Sequence, residues 1–321
     1  MAVPGPFRLG VCCYLLRPMA FGRKISRAQL ERYAGKALVE VAEKNPDVLK
    51  LGASRRNVSL VYLDIWGFTE VTSYASPQAV IDLLCDYFSR MTTIIRGNRG
   101  FVDKFFGDAI FSIFGAPIED DLHPLHCCNA ALACLRETYK LAAEWHLQGF
   151  GLIGQSIGVV SGPAIVGNIG TEERAMYTAI GEGVSLAVQL QQASRLYRAP
   201  IIISRETNTA VKEKLLTREL DVIKIQGADR TTAIFELMGA YGEVPEHVKM
   251  LAEVFSRGLL SFRQRDWDRA EKRFKDADSI SGDDGPSRLY LRRCQLYRKH
   301  PPPPEWDLVH AHTVRTNPAG Q

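Results

Sequence analysis

Apolar and polar positions repeat along the chain with two different periods, and the changes of period predict its elements. Between residues 24 and 54, Ala28, Leu30, Ala34, Leu38, Val39 and Val41 recur at roughly helical spacing with charges between them. This is a helical lead-in that Asn45-Pro46 stops. Residues 58–65 form a short run rich in strand formers, the pattern of a buried strand. Ser76-Pro77 opens a helix with proline in its first turn. Val80, Ile81, Leu84, Phe88, Met91 and Ile95 carry its apolar face, and it ends near Gly97 and Gly100. Residues 101–105 and 109–114 read as a hairpin turning at Gly107-Asp108. A second long amphipathic helix follows at 124–148. Strands are expected at 152–160 and 164–168, joined by Ser161-Gly162-Pro163, then a helix at 184–197. Further strands are expected at 201–203, 220–225 and 232–237. This mixed order predicts an α/β or α+β fold of one sheet covered by helices.

The pattern changes at residues 239–245. Beyond it, Phe255, Leu259, Leu260, Phe262, Trp267, Ala270 and Phe274 predict two short helices, whose residue order resembles one tetratricopeptide-like pair. Pro301 to Pro304 is a stiff polyproline stretch, and the last dozen residues are expected to be loose. The expected division is a lead-in at 1–54, a main domain at 55–240, a helical extension at 241–300 and a proline-rich tail at 301–321.

Composition narrows the classes. With 46% hydrophobic and 24% charged residues, the 321-residue chain is neither disordered nor fibrous. Its net charge of +4 is too weak to point to nucleic acid. Seven cysteines, four of them in the adjacent pairs Cys12-Cys13 and Cys127-Cys128, show no disulfide spacing. A reducing, cytoplasmic compartment is expected. The best apolar run, residues 9–22, is broken by Arg17 and Pro18 and falls short of the roughly 20 residues a bilayer demands. As a secretory signal it is poor, since the charge before it is a single Arg8 and no small-residue cleavage site stands out. An N-terminal helix or linker is the plain reading, and a segment lying on a membrane surface is the other.

Chemistry concentrates in a few positions. Asp64 ends the buried strand, and Asp108 sits in the hairpin turn. Unpaired carboxylates at such places are costly to bury unless a positive charge meets them. Strand ends and hairpin tips of one sheet can converge, so a divalent cation such as Mg²⁺, with phosphate oxygens, is one reading. Two turn or cap aspartates is the plainer one. Trp66-Gly67-Phe68-Thr69 turns toward a helix with backbone N–H groups that would suit a phosphate. Lys104, in an aromatic strand with Phe101, Phe105 and Phe106, is either a ligand contact or a surface residue. His123, His126, Cys127 and Cys128 open a helix without the spacing of a closed zinc set, and read as packing. Arg174 reads as an exposed loop arginine, and Ser161 as part of a strand connection rather than a nucleophile.

Taken together, these segments resemble the class III nucleotidyl cyclases. The resemblance rests on Asp64-Ile65-Trp66-Gly67-Phe68-Thr69, Asp103-Lys104-Phe105-Phe106-Gly107-Asp108-Ala109, Phe114-Gly115-Ala116-Pro117, Val166-Gly167-Asn168-Ile169-Gly170 and Tyr177-Thr178-Ala179-Ile180-Gly181. It covers about residues 50 to 240. It implies a ferredoxin-like α+β domain working as a head-to-tail dimer, homomeric or heteromeric, with sites at the interface. Asp64 and Asp108, with the Ile65 carbonyl, would hold two Mg²⁺ or Mn²⁺ ions. The ions would bridge the triphosphate and acidify the ribose 3′-hydroxyl for attack on the α-phosphorus. Lys104 and Thr178 stand at the purine-reading positions and point to ATP.

Half of the implied site departs from the pattern. The ribose-orienting Asn of active members is Ser185, and the transition-state Arg four residues on is Gln189. The late Lys-Gly-Lys reads Gln226-Gly227-Ala228, with Lys224 as a substitute, and the Asp after Ile-Gly is Glu182. Losing one preorganised donor of this kind costs on the order of 10²–10³ in rate. Three roles follow: an adenylate cyclase in its own right, the metal-bearing half of a heterodimer, or a regulatory nucleotide-binding module. An interaction protein built on the Trp267 helices belongs to another class.

Overall fold

The computed structural model describes residues 26–308, so the apolar run at 9–22 and the end of the tail lie outside them. Two short helices, α1 (Arg27–Ala34) and α2 (Lys36–Lys44), and a 3₁₀ turn (Pro46–Leu49) lead into β1 (Gly52–Trp66). Then come α3 (Phe68–Tyr74), α4 (Pro77–Gly97), the hairpin β2 (Gly100–Phe106) and β3 (Ala109–Phe114), and α5 (His123–Leu147). β4 (Gly154–Gly170), β5 (Ala175–Ile180), α6 (Glu182–Tyr197), β6 (Ile201–Ser204), α7 (Arg205–Val211), β7 (Leu215–Lys224) and β8 (Thr231–Ala240) complete the sheet region. Three helices close the chain, α8 (Glu246–Arg263), α9 (Trp267–Ser281) and α10 (Gly285–Lys299). Among the described residues, no helix is long and apolar enough to cross a membrane.

The strands form one mixed sheet in the order β2-β3-β1-β4-β6-β8-β7, with β5 added to the far half of β4. β4 and β6 run parallel and the other pairs antiparallel. The period of two along β1 splits its side chains between two cores. Val58 and Leu60 join the core covered by α6 and the C-terminal helices. Val61, Leu63 and Ile65 join the core under α4 and α5. Asp64 has the parity of Leu60, which turns it toward α6.

Several expected boundaries move. β1 begins at Gly52 rather than 58, because its exposed first residues pair with β4 from Gly52↔Asn168 to Asn57↔Pro163. The two strands expected at 152–160 and 164–168 are one, and Ser161-Gly162-Pro163 is not a connection. The ladder to β1 runs through it without a break, in a register that seats Pro163 opposite Asn57. β5 and α7 were not among the expected elements. The C-terminal region holds three helices, not two short ones, because α10 hides its apolar stripe among arginines.

These helices are welded to the sheet. Arg218 of β7 is buried and pairs with Glu236 of β8 at 2.5 Å and Asp284 at 2.6 Å. Asp284 also accepts from the Ser287 N–H to cap α10. Arg293 of α10 meets Asp221 of β7 at 2.6 Å. The Tyr290 hydroxyl donates to the Leu220 carbonyl at 2.8 Å. Phe255, Phe262, Phe274 and Tyr290 share a core with Leu220 and Ile234.

Candidate active site

Asp64 lies two residues from the end of β1, and Asp108 occupies the β2–β3 turn. Because β1 and β3 are neighbours in a register that sets Leu63 opposite Ile110, the two carboxylates come to the same end of the sheet. Burial pushes the Asp64 carboxyl above its usual range and the charge of Asp108 adds to the rise, while Arg195 and Gln191 oppose it. Burial also pushes Asp108 up. Two half-buried carboxylates raised in this way suit a divalent cation, which would compensate both charges. Among the described residues no group of three or more His, Cys, Asp or Glu is placed to hold an ion.

Asp64 already has partners on α6. Its Oδ2 accepts from Gln191 Nε2 at 2.8 Å and from Arg195 Nη2 at 2.6 Å. The close seat of α6 depends on Gly158 of β4. A Cβ there would stand 2.1 Å from the Ala187 carbonyl oxygen and 2.6 Å from the Gln191 nitrogen. Gln191 and Arg195 stand four residues apart and so share a helix face. Sequence reasoning missed both, and their i,i+4 spacing on α6 was the available signal. Ile65 and Phe68 are buried, and Gly67 takes φ +86° at the start of α3, which puts Thr69 at the surface.

The second cluster lies on β2 and β5. Lys104 Nζ donates to Thr178 Oγ1 at 2.9 Å. The Thr178 hydroxyl in turn donates to Asp103 Oδ2. The other Asp103 oxygen lies 3.3 Å from Lys104 Nζ, an ion pair without hydrogen-bond alignment. The Asp103 side chain is fully buried, and burial holds its carboxyl above the usual range. Beside this triad is a cavity of about 300 Å³ lined by Tyr62, Lys104, Phe106, Phe111, Ala179, Val184 and Val188. The structure thus joins Lys104 and Thr178, and adds Asp103, which the sequence reading passed over. Its signal was a carboxylate set beside a lysine in an apolar strand. Below Lys104, Phe101 of β2 meets Tyr177 of β5 edge to face at 5.6 Å.

Ser185 is exposed on the second turn of α6. The amide of Gln189 is engaged at both ends, donating to the Lys224 carbonyl at 2.8 Å and accepting from the Gln226 N–H at 3.0 Å. It therefore holds the β7–β8 turn. Lys224 pairs with Asp229 at 3.0 Å across that turn, and Arg230 pairs with Glu182 at the start of α6. Elsewhere, His123 bonds Ser59 at 2.8 Å, and His126 bonds Asp120 at 2.6 Å. Burial pushes the Cys128 thiol up to about 12. Ser161 shares its hydroxyl with Ser59 and Thr207. Arg174 is exposed.

The sequence and the fold are similar to those of known proteins. The family model for the adenylate and guanylate cyclase catalytic domain matches residues 52–239. Adenylate cyclase 1 of Rhizobium meliloti is 28% identical over 207 residues, covering 64% of this chain and 31% of that protein. An uncharacterized protein of Mycobacterium tuberculosis is 34% identical over 188 residues, covering 58% and 31%. The chain thus spans about a third of the length of these relatives. The crystal structure of the adenylyl cyclase CyaB from P. aeruginosa superposes with a TM-score of 0.56 at 28% identity, covering 61% of this chain and 100% of that one. That of the guanylyl cyclase Cya2 gives 0.52 at 25%, covering 60% and 97%.

Proposed function

The chain belongs to the adenylate and guanylate cyclase catalytic-domain family, and from that premise we propose that it converts ATP to 3′,5′-cyclic AMP and pyrophosphate at a dimer interface. The observation that carries the reading is the Lys104–Thr178 hydrogen bond beside an apolar cavity. A lysine donor and a hydroxyl suit the N1 and N6 edge of adenine. In this reading Asp64 and Asp108, with the Ile65 carbonyl, hold two Mg²⁺ or Mn²⁺ ions. Ions held there would supply charge compensation for the triphosphate and would make the ribose 3′-hydroxyl more acidic. The backbone of Gly67, Phe68 and Thr69 meets phosphate oxygens. The ribose oxygen attacks the α-phosphorus in line, and pyrophosphate leaves. Ser185 donates a hydrogen bond to the ribose, and Gln189 stands where charge develops.

One observation favours a second reading. Gln189 is neutral, and its amide is already engaged by the β7–β8 turn. It cannot supply the charge of an arginine. A heterodimer, in which this chain brings the metal half and another cyclase chain brings Asn and Arg, meets that difficulty. So does a regulatory module that binds ATP without turning it over.

The test is incubation of the purified chain with ATP and Mn²⁺, with cyclic AMP quantified by mass spectrometry and Asp64→Ala as control. Product lost in the control supports a cyclase acting alone. ATP binding without product supports the second reading.

A further inference from the structure

We propose that Asp103 fixes the hydrogen-bond polarity of Thr178, and so selects a purine with an amino group rather than a keto oxygen at its 6-position. The inference rests on the reading of Lys104 and Thr178 as the base-contacting pair.

A threonine hydroxyl has one proton to donate and two lone pairs to accept with. A carboxylate only accepts, and an ammonium only donates. The Thr178 hydroxyl lies between the two. Its proton therefore goes to Asp103, and one lone pair takes a proton from Lys104. What remains is one lone pair, an acceptor. The 6-amino group of adenine has a proton to offer it. The 6-keto oxygen of guanine or hypoxanthine has none and meets a second acceptor. Lys104, beyond the N–H given to Thr178 and the one facing Asp103, keeps a third N–H donor, which suits the unprotonated N1 of adenine and opposes the protonated N1 of a 6-keto purine.

The backbone is shaped for this arrangement. Neighbours on a regular strand point to opposite faces, so Asp103 and Lys104 would not both reach Thr178. β2 carries an extra residue here. Val102 pairs with Ser112 and Lys104 with Phe111, which leaves Asp103 in the bulge. A bulge re-aims side chains in this way. The Asp103 side chain is fully buried, so water does not reach its carboxylate to share its lone pairs. Its polarity acts on the ligand through Thr178, as a positioning residue.

The decisive variant is Asp103→Asn, which keeps the shape. The amide oxygen turns to the Lys104 ammonium and the NH₂ to Thr178 Oγ1. Both Thr178 lone pairs are then filled, and the hydroxyl proton is released toward the base. The experiment measures the affinities of the full chain for ATP and ITP by competition against a fluorescent ATP analogue. These nucleotides differ at the 6-position and in N1 protonation. The wild-type chain should prefer ATP, and the ATP:ITP ratio should fall at least tenfold in Asp103→Asn. Asp103→Ala lets the hydroxyl rotate freely and should give an intermediate ratio, which serves if the Asn variant folds poorly. Thr178→Val should lower the ratio, and adding Asp103→Asn to it should change nothing more. An unchanged ratio in Asp103→Asn overturns the inference, as does an equal further fall in the Thr178→Val background. A wild-type chain without preference for ATP overturns the reading of Lys104 and Thr178 beneath it.

Discussion

Replacing Arg218 by methionine keeps most of the side-chain stem and removes its charge. The Arg218 side chain is 3% exposed, and those of its partners Asp284 and Glu236 are 5% and 12% exposed. The guanidinium grips Asp284 with two bonds of 3.0 and 2.6 Å and lies 4.8 Å over the Phe255 ring. Without it, two buried carboxylates of β8 and the α10 cap face each other uncompensated. Breaking a buried pair from one side costs about 3–5 kcal/mol. Taking about 2 °C per kcal/mol, the lower slope appropriate to a long chain, the melting temperature should fall by roughly 6–10 °C. The pH dependence has a definite sign. Burial holds the Glu236 carboxyl above its usual range, with Arg218 pulling it down and Asp284 pushing it up. Loss of Arg218 raises it further in the folded state. The folded variant then binds more protons than the unfolded chain, so its stability falls as pH rises. The deficit should be largest near pH 8 and shrink toward pH 5, and adding Glu236→Gln should recover part of it. Thermal melts followed by circular dichroism measure all three. A melting temperature within about 2 °C of wild type at pH 8, or a deficit that grows on acidification, refutes the reasoning.

Two other perturbations probe the site. Gly158→Ala pushes α6 off β4, where a Cβ meets backbone atoms at 2.1 and 2.6 Å. Overpacking of this kind costs about 1–3 kcal/mol, which denaturant titration should register as a lower midpoint at unchanged slope. Arg195→Ala removes the cation that holds Asp64 Oδ2. This pair is half exposed and worth at most about 1 kcal/mol, so Mn²⁺ binding by calorimetry should tighten by up to about fivefold. Weaker binding would show that Arg195 helps rather than competes.

The two long helices and the β2–β3 hairpin were legible in the sequence because their apolar period is strong and their ends carry proline and glycine. The rest depended on distant partners. Residues 52–57 carry no large apolar side chain and are mostly exposed, and only the ladder to β4 makes them a strand. Pro163 looked like a break, and it sits inside a strand that is paired along its length. α10 was not among the expected helices, because its apolar stripe is hidden among arginines, one of which, Arg293, is buried against Asp221. Among the candidate site residues, Asp64, Asp108 and Lys104 stood out by their places in strand and turn and Thr178 by its motif, and the structure joins Lys104 to Thr178. Asp103 did not stand out, because its direction is set by a bulge that no local pattern announces. Gln191 and Arg195 reach Asp64 only because Gly158 lets a helix approach.

The bulge at Asp103 has a counterpart at the opposite margin of the sheet, and the two bear on self-association. Along the main strand path, from which β5 branches at β4, β2 and β7 are the outermost members. Each carries a surplus residue, Asp103 between the Val102 and Lys104 pairs, and Leu220 between the Glu219 and Asp221 pairs. An outer strand with a regular row of free amides and carbonyls is a template for another chain, and an irregular one docks poorly. At Leu220 the protection is doubled, since Tyr290 of α10 occupies the carbonyl. A chain cut after β8 would lose that cover, along with the aromatic side chains that share its core. Edge-to-edge pairing should then compete with folding, an outcome that follows from the cover the helices beyond the family boundary give the last strand.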